Sequence, residues 1–108
     1  MSTTQELRWL KIEVENENSV LVKFELTPDT NIAPEELAIA VRQVHNALQN
    51  LRVKKIRITG RGPIWLYSAV THAVAHMAPV VQVFDAINKR WITVTSHTPE
   101  YRIGQVEE

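Results

Sequence analysis

Apolar residues follow two different periods along this chain, and the order in which the periods alternate limits the folds that are possible. Residues 9–15 and 20–26 alternate apolar and polar side chains, which is typical of strands with one solvated face. The polar stretch 16–19 between them predicts a turn, so the two segments predict an antiparallel hairpin. Residues 34–51 repeat apolar residues at helical spacing, and Pro34 suits the start of that helix.

The second half of the chain predicts a strand, a helix and a further hairpin. Residues 53–59 form a short predicted strand, and Pro63 opens a predicted helix over 64–77. The nearly continuous apolar run 80–84 predicts a central strand, which turns into a last strand at 91–95. The sequence therefore predicts an α/β fold class, with a small mixed sheet and two helices in the order β-β-α-β-α-β-β.

The length of 108 residues suits one domain. We therefore assign residues 1–108 to a single domain, with residues 1–8 and 99–108 as tails. A helix joins the predicted strands at 53–59 and 80–84, so we expect these strands to be parallel and the connection to be right-handed. The expected architecture is a small Rossmann-like sheet with helices packed on it.

Composition excludes several classes of protein. No apolar run approaches the about 20 residues that span a bilayer, so no membrane contact is expected. The absence of cysteine excludes thiol nucleophiles and cysteine zinc sites, and the polar start lacks the features of a signal peptide, so we expect a cytoplasmic protein. Twelve basic and twelve acidic residues cancel, which argues against binding to duplex DNA.

The charges are unevenly distributed along the chain. Residues 1–36 carry eight acidic and three basic side chains, a net charge of −5. Residues 37–106 carry nine basic and two acidic side chains, a net charge of +7. The second part thus offers a basic surface for a small anion, although acidic solvent faces are also common on hairpins without any function.

The junction between the predicted strand 53–59 and helix 64–77 reads Gly60-Arg61-Gly62. Free N–H groups and the helix dipole favour an anion at a helix start, and an arginine adds a fork for phosphate. Two glycines and a proline are also ordinary turn material, so both interpretations stay open. No Walker sequence and no full dinucleotide fingerprint is present, which argues against an NTPase or a nicotinamide enzyme.

His72 and His76 stand four residues apart in the predicted second helix and so project from one face. Such a pair suits a divalent metal or acid–base chemistry near neutral pH. Alternatively, the two are half-exposed polar residues, since a zinc site would need a third ligand. We interpret His45, on the first helix, as structural.

Parallel central strands would give the molecule two polar ends. Asp85 would share one end with Gly60–Gly62, where its carboxylate suits manganese or magnesium, although aspartate also favours a hairpin turn. The helix of about 20 Å would return His76 to the opposite end. The last strand places His97 at that end too, where it either contacts a ligand or belongs to a surface loop without a function. A site that needs both ends would therefore be completed by another subunit.

The strings Thr-Gly-Arg-Gly-Pro-Ile-Trp-Leu at 59–66 and Val-Gln-Val-Phe-Asp at 81–85, the spaced histidines between them and the pair Ser96-His97 resemble one family. It is the third family of CRISPR-associated ring nucleases, found with type III systems, and the resemblance covers about residues 58–98. It implies a small relative of the CRISPR-associated Rossmann fold that dimerises. It also implies manganese-dependent degradation of cyclic tetra-adenylate, a second messenger, with the ring held between two dimers.

The resemblance implies roles for single residues. The residues implied to hold the ring are Gly60, Arg61, Gly62, Ser96 and His97. The implied catalytic residues are His72, His76 and Asp85, and the implied manganese ligands are Asp85 and His76. The family follows its aspartate directly with Pro-Arg, whereas here Ala86-Ile87 follow and the nearest arginine is Arg90.

Three functions follow as expectations. The first is a ring nuclease that cleaves cyclic tetra-adenylate to linear oligoadenylate, through attack of a ribose 2′-hydroxyl on the adjacent phosphate. Its expected assembly is a homodimer that the ligand bridges into a higher assembly. The second is a manganese-dependent exoribonuclease that acts on the 3′ end of short adenylate RNA. The third is a non-catalytic sensor that captures the cyclic ligand through residues 60–62.

Overall fold

The computed structural model describes residues 7–108. In chain order the elements are β1 (Leu10–Asn16), β2 (Ser19–Glu25), α1 (Glu35–Leu48), β3 (Lys55–Arg61), α2 (Ile64–Ala75), β4 (Val80–Asp85), β5 (Arg90–Ser96) and β6 (Val106–Glu107). The predicted fold class, an α/β protein with a small mixed sheet and two helices, is confirmed. The short β6 extends the predicted order at its end. Within residues 7–108, neither helix is long and apolar enough to cross a membrane.

The strands form one sheet in the order β1-β2-β3-β4-β5-β6. The β1–β2, β4–β5 and β5–β6 pairs are antiparallel, as expected of strands joined by short connections. The β2–β3 and β3–β4 pairs are parallel, and each is connected by a helix. Both predicted hairpins and the parallel centre are therefore confirmed.

The first hairpin forms because its period-two pattern gives the sheet one apolar face. Val20, Val22 and Phe24 alternate along β2 and are fully or almost fully buried. Ile12 of β1 lies opposite Val22 and packs against the same core. The turn is stabilised by the N–H of Asn18, which donates to Oδ1 of Asn16 at 2.8 Å.

The helix α1 is fixed at its start by an acidic residue. Pro34 precedes the helix, and a carboxylate oxygen of Glu36 accepts a hydrogen bond from the N–H of Ala33 at 2.9 Å. Glu35 and Glu36 also complement the positive end of the helix dipole. Its buried residues are Ala40, Val44 and Leu48, one stripe at helical spacing.

The helix α2 lies beside α1 over the same face of the sheet. The two helices contact each other, and their buried residues belong to one core cluster with those of the central strands. Leu66, Val70 and Val74 form the buried stripe of α2. The helix ends at Ala75, two residues before the predicted end, and His76 is its C-cap.

The other face of the sheet carries a polar network that ties β6 to the sheet centre. One carboxylate oxygen of Glu107 accepts hydrogen bonds from Lys55 at 2.9 Å, Arg57 at 3.2 Å and Gln82 at 2.6 Å. Gln82 is fully buried and accepts a further bond from Arg57, whose guanidinium lies 4.7 Å from the centre of the Trp91 ring. Residues near the C-terminus, which the sequence assigned to a tail, are thereby part of the sheet.

Candidate functional site

The candidate residues lie at two opposite ends of the sheet. Because β3 and β4 are parallel, Gly60–Gly62 and Asp85 share one end, which we call the glycine end. His76 and His97 share the other, which we call the histidine end, and the N–H of His97 donates to the carbonyl of Pro79 at 2.8 Å. The six residues of β4 separate the two ends by about 17 Å at roughly 3.3 Å per residue. The expected two-ended geometry is confirmed.

The predicted glycine loop is partly strand. We predicted that the strand ends at residue 59, but β3 continues through Gly60 and Arg61 and pairs with β2. Gly60 has a φ of +107°, and a Cβ built there would lie 2.1 Å from the carbonyl oxygen of Phe24. The glycine is required because the two backbones approach so closely, and not only because a ligand needs room.

The start of α2 provides polar groups at the glycine end. The first helical hydrogen bond is donated by the N–H of Leu66 to the carbonyl of Pro63 at 3.1 Å. The amides of Ile64 and Trp65 precede it and have no acceptor within the helix, so they favour an anion. The side chain of Arg61 is exposed beside them and can contact phosphate.

A pocket of about 860 Å³ opens at the glycine end. Its lining is mainly apolar with a few hydroxyl groups, a composition that suits a planar organic group such as a base. The hydroxyl of Tyr67 donates to the carbonyl of Gly60 and fixes one wall, and partial burial raises the pKa of that hydroxyl. The lining residues are Thr59, Gly60, Arg61, Gly62, Ile64, Tyr67, Ser68, Thr71, Val83, Phe84, Ala86 and Val94.

Asp85 organises the turn between β4 and β5. One carboxylate oxygen accepts from the N–H groups of Ile87 and Asn88, at 3.1 and 3.3 Å. The other accepts from the side chain of Asn88 at 3.0 Å and from Arg90 at 3.3 Å. The side-chain amide of Asn88 is the main cause that holds the pKa of Asp85 below its usual value. Within this chain the carboxylate of Asp85 therefore stabilises the hairpin turn, which is one of its two predicted roles; the other, as a metal ligand, stays a prediction.

The described residues of one chain do not fit a manganese ion. Asp85 and His76 lie at opposite ends of β4, and one ion binds its ligands within about 2.5 Å. Across residues 7–108, no three His, Asp or Glu side chains are grouped so that they could hold a metal. A site that uses both Asp85 and His76 would need groups from two subunits.

The histidine end carries two imidazoles in contact. Nε2 of His72 lies 3.4 Å from Nε2 of His76, and the two rings are nearly perpendicular. A hydrogen bond between them requires one Nε2 to carry a hydrogen and the other to accept it, and the tautomers decide which does so. Both side chains are exposed to solvent. Each ring is therefore accessible to a ligand with which it can exchange a proton.

Ser96 and His97 also lie at the histidine end, because Ser96 pairs with Val80 at the start of β4. The hydroxyl of Ser96 lies within hydrogen-bond distance of the carbonyls of Thr98, at 3.0 Å, and Tyr101, at 2.7 Å. It thereby holds the turn that follows β5. The predicted ring-binding residues are thus divided between the two ends, and one chain does not bring Ser96 and His97 together with Gly60–Gly62.

Comparison with known proteins identifies the family. Residues 25–108 match the family model Cas_csx3, described as a CRISPR-associated protein. The chain belongs to this CRISPR-associated family. A protein of Aquifex aeolicus (strain VF5), described as an uncharacterized protein, is 32% identical to this chain over 103 residues. The match covers 93% of this chain and 86% of the relative. No solved structure matches the chain. The match confirms the expected relation to CRISPR-associated proteins.

Two further basic residues lie near the histidine pair, and only Arg42 of these was not considered from the sequence. Arg42 and His45 of α1 line the same groove between the helices as His72 and His76. The side chain of His45, which we interpreted as structural, is exposed at this groove. The three-residue spacing of Arg42 and His45 predicts a shared helix face, but which neighbour that face meets depends on how the helices pack.

Proposed function

We propose that this Cas_csx3 protein is a ring nuclease, which binds cyclic tetra-adenylate and cleaves it to linear oligoadenylate. It would thereby end the second-messenger signal of a type III CRISPR system in the cytoplasm. The observation that carries the proposal is the contact between His72 and His76. One imidazole can accept a proton while the other donates one, which is what cleavage of a phosphodiester next to a 2′-hydroxyl requires.

The reaction is a transesterification within the RNA. The 2′-oxygen forms a bond to the adjacent phosphorus, and the bond from that phosphorus to the 5′-oxygen breaks. The proton of the 2′-hydroxyl passes to Nε2 of the neutral imidazole, and the leaving 5′-oxygen takes a proton from the other ring, which starts as the protonated imidazolium. The two Nε2 atoms must move out of their mutual contact to reach these two oxygens. The products are a 2′,3′-cyclic phosphate and a 5′-hydroxyl. Alignment of the attacking oxygen with the leaving oxygen supplies much of the acceleration.

The glycine end of a second copy would bind the phosphates that flank the cut. The free amides at the start of α2 and the exposed Arg61 offer donors for them. The glycine end and the histidine end of one chain are separated by the length of β4, so the two must come from different copies. The proposal therefore includes a homodimer that the ring bridges into a larger assembly.

The proposal includes a dependence of the cleavage rate on manganese. Within residues 7–108 the groups of one chain do not fit the ion, so the proposed proton transfers use the two imidazoles alone. A shared site between the Asp85 of one copy and the His76 of another would require the bridged assembly. Assays with manganese and with a chelator compare the two conditions directly.

The test is incubation of the purified full chain with cyclic tetra-adenylate, with separation of the products by chromatography. Linear products that end in a 2′,3′-cyclic phosphate are expected. His72→Ala and His76→Ala are expected to lower the rate by about a hundredfold or more, because each removes one proton-transfer group. Asn50→Ala, an exposed change in the loop after α1, is the control and should retain the full rate.

A ring of 2′-deoxyadenylates separates the possible reactions. We expect it to bind without being cut, because the attacking hydroxyl is absent. Cleavage of the deoxy ring at a comparable rate would reject the proposed chemistry in favour of attack by water. Cleavage of linear adenylate RNA alone would instead support an exoribonuclease, and tight retention of the intact ring would support a sensor.

A further inference from the structure

A groove of about 570 Å³ opens between α1 and α2. It shares no lining residue with the pocket at the glycine end. Its apolar lining is Ala38, Val41, Ala69, Ala73 and Met77. Small side chains on both helices leave space between them, and the volume lies within the about 300–1,000 Å³ of pockets that hold small molecules.

Every polar side chain that lines this groove is basic. Arg42 and His45 come from α1, and His72 and His76 come from α2. All four side chains are exposed, so they can meet a ligand without a change in the backbone. None of the nine lining residues is acidic. An apolar surface with basic groups at its rim matches a ligand that has a planar organic part and a phosphate.

We propose that this groove binds a phosphorylated ligand of nucleotide size, with Arg42 and His45 contacting the phosphate beside His72 and His76. The planar guanidinium of Arg42 can donate two parallel hydrogen bonds to phosphate oxygens, and His45 can donate one. The apolar lining from Ala69 to Met77 then accommodates the base. Arg42 is thus a phosphate-binding residue that the sequence patterns did not identify.

The use of the groove in ring cleavage rests on the proposed function, because His72 and His76 are the proposed proton-transfer groups. In that case Arg42 lies where negative charge develops on the phosphate, and its charge would stabilise the transition state more than the ground state. Binding of a nucleotide in the groove does not depend on cleavage. The two proposals can therefore be tested apart.

The test follows the imidazole Cε1–H signals by NMR while adenosine 5′-monophosphate is added to the full chain. The signals of His45, His72 and His76 are expected to shift together, whereas that of His97, which does not line the groove, is expected to shift less. Adenosine without a phosphate should shift the same signals only weakly. If the nucleotide leaves the three groove histidines unchanged, the proposed groove is wrong.

Matched arginine variants sharpen the test. Arg42→Gln should weaken binding of adenosine 5′-monophosphate at least about tenfold, since a hydrogen-bonded charge pair is lost. Arg42→Lys keeps the charge but cannot donate two parallel hydrogen bonds, so its affinity for the nucleotide should lie between those of Arg42→Gln and the unmodified protein. Arg52→Gln, an exposed arginine in the loop after α1, should bind as the unmodified protein does. Equal binding by Arg42→Gln and Arg52→Gln would overturn the role of Arg42.

The outcomes distinguish the two proposals. If the nucleotide binds and Arg42→Gln weakens it, but cyclic tetra-adenylate stays intact, the groove is supported and the ring nuclease is rejected. If the ring is cleaved while the groove histidines do not respond to the nucleotide, the ring nuclease stands and the groove is rejected.

Discussion

Gly60 keeps β2 and β3 together because it has no side chain. A methyl group there would lie 2.1 Å from the carbonyl oxygen of Phe24, in a backbone with a φ of +107°. We predict that Gly60→Ala lowers the free energy of unfolding by about 3 kcal/mol or more, since both the clash and the backbone strain must be relieved. Urea unfolding of the purified variant measures the change.

Gly104 provides the matched control for this prediction. It also has a positive φ, +91°, but a Cβ built there meets nothing within 4 Å. Gly104→Ala should therefore cost only the backbone strain, about 1 kcal/mol. Equal losses in the two variants would show that the close approach at Phe24 is not what requires Gly60.

Single residues of the candidate site were only partly predictable. The sequence placed Gly60 in a junction that suits an anion or a turn, but the close approach of Phe24, which is remote along the chain, could not be predicted. For Asp85 the turn interpretation was visible, because aspartate accepts from amides two and three residues later. A role of Asp85 toward a ligand of another copy stays a prediction, since it depends on an assembly rather than on one chain.

The pairing of β6 with the sheet is stabilised by the carboxylate of Glu107. Partial burial raises the pKa of Glu107, but hydrogen bonds from Lys55 and Gln82 and the charge of Lys55 outweigh it. The pKa therefore lies below the usual value of 4.5. We predict that Glu107→Gln lowers the free energy of unfolding at pH 7 by about 1–2 kcal/mol, because charge-assisted hydrogen bonds are weakened.

The same carboxylate predicts a pH dependence. A lowered pKa stabilises the fold above the ordinary carboxyl range, and this stabilisation is lost as the pH falls through the pKa of the folded state. The difference in unfolding free energy between the unmodified protein and Glu107→Gln should therefore shrink between pH 5 and pH 3. Glu108→Gln changes an exposed neighbour and should alter neither the free energy of unfolding at pH 7 nor its pH dependence. A constant difference across this range would contradict the role of Glu107.

The sequence predicted the elements that carry their own periodicity. Both long hairpins and both helices follow from alternating or helical apolar patterns, and their ends lie within two residues of the structure, except that α1 ends at Leu48 and not at the predicted residue 51. The short β6 could not be predicted, because Val106 and Glu107 are too few to show a pattern. One sign of the network was present in the sequence, namely Gln82 within an otherwise apolar strand, since a buried amide needs partners.

For the molecule as a whole, topology alone predicted the separation of the two ends. A strand, a helix and a parallel strand must place the ends of β3 and β4 together and return the helix to the opposite end. The groove between α1 and α2 was not predictable, because it depends on which faces of the helices meet. The two-ended arrangement is the reason that the proposed reaction needs more than one copy.

The most direct test of the shared site is to mix two variants that are each impaired at one end. Arg61→Ala impairs the glycine end and His76→Ala impairs the histidine end, so each alone should cleave cyclic tetra-adenylate far more slowly than the unmodified protein. In an equimolar mixture, random pairing unites an intact glycine end with an intact histidine end in about a quarter of the sites. We predict recovery of about that share of the unmodified rate. A mixture no faster than the sum of its two components would contradict a site built from two copies.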